Sequence, residues 1–175
     1  SGLTDEVESD DTVFEVTKAR IPWLLIGLFG GLIVALMLGE NEGDIKSVPA
    51  LALFMPLIAA MAGNVGVQSS AIVVQALASD TKEHNIIAKL WKELSVGLVN
   101  GFILAATMYG AGLLLGYGQL VTLTVAVSLL AVIIFASLFG TFIPLLLNRF
   151  KIDAALATGP FITTANDVIG LIIYF

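Results

Sequence analysis

From Leu94 to Asn148 the chain runs without a single charged residue. At 1.5 Å per residue a single helix of that length would reach roughly 80 Å, far more than a hydrocarbon core of about 30 Å. The stretch therefore folds back on itself inside lipid, where every backbone polar group must find its partner within a helix. Gly116-Tyr117-Gly118-Gln119 is the predicted reversal, because glycine admits backbone angles that no neighbouring residue tolerates. Composition agrees with a lipid solvent: 13% of the 175 residues are charged, about half the share typical of a soluble domain.

Two further uncharged windows, Ile21 to Leu38 and Val48 to Ser79, and a last apolar window, Ala154 to Phe175, each supply the ~20 residues that a crossing needs. The predicted fold is an all-α membrane protein with five transmembrane helices per subunit, at about 21–39, 48–79, 93–116, 119–147 and 154–175. Residues 1–20 are set apart as an acidic N-terminal tail or linker remnant, and 21–175 form the membrane domain. The second window is longer than one crossing, so tilt, a kink or an interfacial end absorbs the excess. Lys18, Arg20, Lys82, Lys89, Lys92, Arg149 and Lys151 then share one face of the membrane, with only Lys46 opposite. The positive-inside rule places that face in the cytoplasm, giving a cytoplasmic N-terminus and an external C-terminus in the cell (inner) membrane. With no cysteine, disulfides and thiolate metal sites are excluded. The lone histidine, His84, falls in a charged loop and is expected to be solvated.

Two segments depart from plain lipid-facing helix. In the second, Ala62-Gly63-Asn64-Val65-Gly66-Val67-Gln68-Ser69-Ser70 places amides and hydroxyls near mid-membrane, with Asn64 and Gln68 on one face. Interhelical hydrogen bonding and a water-filled path both call for such residues. In the last, Gly159, Thr163 and Asp167 repeat every four residues as a small, polar stripe, and Pro160 is expected to bend the helix or free a carbonyl. Asp167 is the one charged residue predicted within any span, roughly 20 Å from a helix start at Ala154. A carboxylate at that depth costs at least ~2.5–3.5 kcal/mol unless it meets water, a proton or a cation. Asp153, at the inner end of the same helix, is explained by the helix dipole alone. The pairs Gly27/Gly31, Gly97/Gly101 and Gly112/Gly116 predict close helix crossings, and Asn100 and Tyr109 predict interhelical partners.

One carboxylate among neutral oxygens, with no thiol or imidazole, suits a hard cation. It is meagre for Ca2+ and adequate for Mg2+, which keeps its waters, above all where a two-fold dimer brings two copies to one axis. The residues alone give a divalent-cation pathway in an oligomer. Membrane-embedded catalysis lacks a nucleophile–base pair, so no enzyme is expected. No nucleic-acid partner is expected either.

The run Pro56 to Ala78 around Gly63-Asn64 and Gln68-Ser69 resembles the signature of the MgtE family of Mg2+ channels, relatives of solute-carrier family 41. So does Asp153-Ala154-Ala155-Leu156-Ala157-Thr158-Gly159-Pro160-Phe161, followed by Thr163-Thr164 and Asp167-Val168-Ile169-Gly170-Leu171. The resemblance spans Pro22 to Phe175. It implies a homodimer in the lipid bilayer with a central path for Mg2+ as the transported ion. It also implies that Asp167 is the ion-binding aspartate and that Asp153 matches an acid at the cytoplasmic mouth. Gly63, Asn64, Gln68, Gly159, Thr163 and Asn166 are the expected pore-lining and supporting residues. Val65, Val67, Ala154 and Gly159 depart from the common pattern. The family's cytosolic Mg2+-sensing CBS domains are expected to be missing from this chain. The predicted activity is passive conduction, and the alternative is a secondary transporter coupling Mg2+ or another divalent cation to Na+ or H+.

Overall fold

The computed structural model describes residues 12–78, 86–151, 154 and 159–175. Among them every regular element is helical: α1 (Val13–Glu40), α2 (Glu42–Ser47), α3 (Ala50–Ala78), α4 (Ile86–Leu114), α5 (Gln119–Arg149) and α6 (Pro160–Tyr174). Helices α1, α3, α4 and α5 are each long and apolar enough to cross a membrane. Helix α6, with 15 residues, is shorter, about 22 Å by its rise. The apolar windows all return as helices, four of them at full membrane length.

Their ends differ from the predicted ones. Helix α1 starts at Val13, so the last part of the segment read as a tail is helical. Helix α4 starts at Ile86 instead of 93, which brings Lys89, Lys92 and Glu93 into its first turns. Apolar windows mark what lies in lipid, whereas a backbone ladder continues outward as long as charged side chains reach water along their own stems. Helix α6 starts at Pro160, six residues later than predicted. Proline sits at its first position, where the missing N–H is not needed, so it opens the helix instead of bending it. Lys82 and His84 lie outside the described residues, as does Asp153.

The predicted reversal after α4 is a Schellman turn. Gly116 takes φ +82°, its N–H bonds to the Leu113 carbonyl at 3.1 Å, and Tyr117 N–H bonds to that of Gly112 at 3.0 Å. Helix α5 then packs against α4, α3 and α6, and half of its most apolar window is buried, against 6% for α1. It is the centre of the bundle, with Val125, Val132 and Ile133 meeting Ile58 of α3 in the core. Small residues let the helices approach. Gly97 and Gly101 face Ser137 and Leu130, and Gly112 faces Thr122. Gly27 and Gly31 meet nothing within 4 Å, and it is Gly30, between them, that receives Thr164 of α6. Asn100 is exposed on α4. The Tyr174 hydroxyl donates to the Leu51 carbonyl at 2.9 Å, tying the end of α6 to the start of α3.

Candidate functional site

Helix α3 offers α6 two glycines one turn apart, Gly63 and Gly66, near its midpoint. Consecutive pairs on α6 straddle them. A Cβ on Gly63 would lie 3.1 Å from Thr163 Cγ2 and 3.3 Å from Asp167 Oδ1. A Cβ on Gly66 would run into the Asn166 amide and approach Ile162 Cγ2 at 3.0 Å. Residues 163 and 167 share one α6 face, and 162 and 166 the next, so in this arrangement the two glycines receive both faces of α6. Asp167 is thereby held at the middle of α3, even though it stands only about 10 Å along α6 from Pro160.

At the start of α6, Gly159 adopts φ +77°, a conformation that costs glycine little and other residues much. Its carbonyl accepts from the Thr163 N–H at 3.1 Å and from the Thr163 hydroxyl at 3.2 Å. Gly159 therefore supports the site through its backbone, one turn below the residues that face outward.

Between α3 and α6 lies a groove of about 370 Å³ lined by Ala60, Gly63, Asn64, Val67, Gln68, Thr163 and Asp167. Five of the residues singled out in the sequence, Gly63, Asn64, Gln68, Thr163 and Asp167, are thus brought together. Asn166 is on the other side of α6, fully buried against Gly66. Asp153 lies outside the described residues. Ala60 was not singled out and Val67 only as a departure from the family pattern, although they fall four residues before and three after Asn64, the period that defines one helix face.

The groove is rich in oxygen and carries one charge. Asp167 is half-buried, and among the described residues no basic group pairs with it. Asn64 and Gln68 are exposed on the outer face of the helix bundle. Among the described residues no three His, Cys, Asp or Glu side chains gather as they would around a bare metal ion. A carboxylate, two amides and a hydroxyl are a donor set whose chemistry suits a hydrated hard cation. Beyond the groove, the buried Ser69 hydroxyl of α3 donates to the Glu93 carboxylate of α4. Glu93 stands at the very start of the predicted span, with nothing in the sequence to indicate a partner on α3.

Comparison with known proteins gives a consistent match. The family model MgtE, described as divalent cation transporter, matches residues 55–175. Among curated relatives, a protein of Bacillus subtilis named "Magnesium transporter MgtE" is 34% identical over 171 residues, covering 97% of this chain and 38% of that protein. Proteins of the same name from Enterococcus faecalis and Thermus thermophilus are 33% and 34% identical. They match over 100% and 98% of this chain and 39% and 38% of their own lengths. The chain spans less than two-fifths of the relatives it matches.

Proposed function

The chain belongs to the MgtE family of divalent cation transporters, and from that premise and the α3–α6 groove we propose that it is the membrane pore domain of a Mg2+ channel. Asp167 from each of two subunits binds the hydrated ion, and Thr163, Asn64, Gln68 and the Gly63 backbone support its water shell. The reading is carried by the placement beside the midpoint of α3 of one carboxylate, with no basic partner among the described residues, among neutral oxygens. Size supports it as well. Mg2+ holds six ligands in an octahedron, and six waters at ~30 Å³ each occupy ~180 Å³, well within a groove of about 370 Å³. The ion need not shed its shell, whose removal is the step that Mg2+ resists most.

The groove also supports the dimer. Asn64 and Gln68 face outward from the subunit, and amides left against hydrocarbon cost several kcal/mol. A second copy laid over the α3–α6 face encloses them and sets two Asp167 carboxylates about one axis. Inward passage needs no coupled gradient, because a divalent ion gains ~4.6 kcal/mol from 100 mV, inside negative.

Mg2+ uptake into liposomes holding this protein, driven by an inside-negative potential alone, tests the proposal against its Asp167→Asn variant. Potential-driven uptake that the variant loses is the expected result. Normal uptake by Asp167→Asn overturns the ion site, and uptake that starts only with a Na+ or proton gradient assigns the chain to coupled transport.

A further inference from the structure

Three buried polar side-chain atoms lack a hydrogen-bond partner among the described residues, and two side chains supply all of them. They are the amide nitrogen and oxygen of Asn166 and the hydroxyl of Thr141, in residues 0% and 1% exposed. Both border one helix crossing. Where α3 meets α5 the contact is backbone to backbone, Gly140 lying on the Gly66 carbonyl. Thr141 follows Gly140 on α5, and Asn166 of α6 fills the space that a side chain on Gly66 would take.

Packing alone does not call for an amide at position 166. Leucine has the same side-chain branching and leaves no polar atom unpaired, so a purely structural role at this position does not require an amide. An amide brings one donor group and one acceptor, and a threonine hydroxyl brings one of each, so the two side chains are complementary. Leaving both unpaired raises the free energy of this arrangement and brings any arrangement that pairs them closer to it. Gly66 and Gly140 carry no Cβ that would bar a small rotation or slide at the crossing. Asp167 is the next residue after Asn166, about 100° further round α6, so whatever turns Asn166 turns Asp167.

We propose that Asn166 is a positioning residue for ion passage: the α3–α5–α6 crossing has a second arrangement in which the Asn166 amide pairs with the Thr141 hydroxyl, and the change turns Asp167 relative to the groove. The proposal rests on the reading of Asp167 as the ion site. Asn166 does not touch the ion, so its loss acts on the rate of passage and leaves site affinity alone.

The test is Mg2+ uptake in liposomes, measured against Mg2+ concentration for wild type, Asn166→Leu, Thr141→Val and the double variant, with thermal unfolding of each. Asn166→Leu is expected to unfold at or above the wild-type temperature. Its maximal uptake is expected to fall at least tenfold, with the half-saturating Mg2+ concentration within twofold. Thr141→Val is expected to fall similarly, and the double variant no lower than Asn166→Leu alone. Maximal uptake within twofold of wild type in either single variant overturns the proposal, as does a double variant in which the two losses multiply. Should Asn166→Leu fail to fold, the near-isosteric Thr141→Val decides by the same threshold. Asp167→Asn, run in parallel, separates the two claims. Wild-type uptake in that variant removes the ion site, whereas the comparison of single and double variants still tests the Asn166–Thr141 pair.

Discussion

At the scale of single residues, the site depends on side chains that are absent as much as on those present. Gly63 leaves the Asp167 carboxylate beside bare backbone, where even a methyl would stand 3.3 Å from Oδ1 and 3.1 Å from Thr163 Cγ2. Those separations are tight enough that the neighbours must give way. Asp167 is the neighbour with room to do so, because it borders the groove. Gly63→Val is therefore expected to raise the half-saturating Mg2+ concentration about tenfold, which is 1.4 kcal/mol of lost binding. A titration of uptake against Mg2+ checks this, and an unchanged half-saturation would show that Gly63 has no part in presenting the carboxylate. Gly159 works differently. Its φ of +77° sets the entry to α6 and lets its carbonyl take both Thr163 donors. What it contributes is conformation.

At the scale of helices, close crossings and open faces behave oppositely toward an added methyl group. A Cβ on Gly140 would press into the Gly66 backbone, which cannot swing aside, so Gly140→Ala must push α5 away from α3. A loss of ~1–3 kcal/mol is expected from such overpacking. Gly27→Ala is the control: nothing lies within 4 Å, and alanine is the better helix former by ~0.5–1 kcal/mol. Unfolding of both variants in detergent tests the contrast, and equal midpoints would deny that the α3–α5 contact holds the bundle. These crossings also mark what was legible in the sequence. The apolar windows located the helices, Gly116 located the reversal, and the period of four on α3 and α6 picked out Asn64, Gln68, Thr163 and Asp167. A period of four names a face without saying which neighbour covers it. Gly27 and Gly31 were therefore expected to do what Gly30 does, and Asn166, expected beside Asp167 among the supporting residues, points into the bundle. Helices α1, α4 and α6 start away from the edges of the apolar windows because hydropathy reports solvent, whereas Pro160 and the backbone ladder decide where a helix begins.

At the scale of the whole molecule, apolar and polar surfaces are both exposed on the subunit, and they need different surroundings. Leu32 of α1 and Phe102 of α4 are 52% and 61% exposed and suit lipid tails. Asn64 and Gln68 are exposed as well, on the α3 face beside Asp167, and suit water. If two copies close over that face around an aqueous path, exposure in the subunit divides into two classes in the membrane. The absence of any cysteine makes the division measurable without background. Single cysteines at positions 64 and 68 are expected to react with a small, membrane-impermeant thiol reagent, with Mg2+ slowing the reaction at 64 by occupying the groove. Cysteines at 32 and 102 are expected to stay unmodified, because a thiol in hydrocarbon forms almost no thiolate and the reagent does not enter. Equal silence at all four positions would leave the groove shut against lipid or another protein surface, with no water path through it. Equal reactivity would mean that the bundle does not sit in the membrane along the apolar faces of α1 and α4. Only the divided result fits a pore made between two subunits, because only there does one exposed face meet water while the others meet lipid.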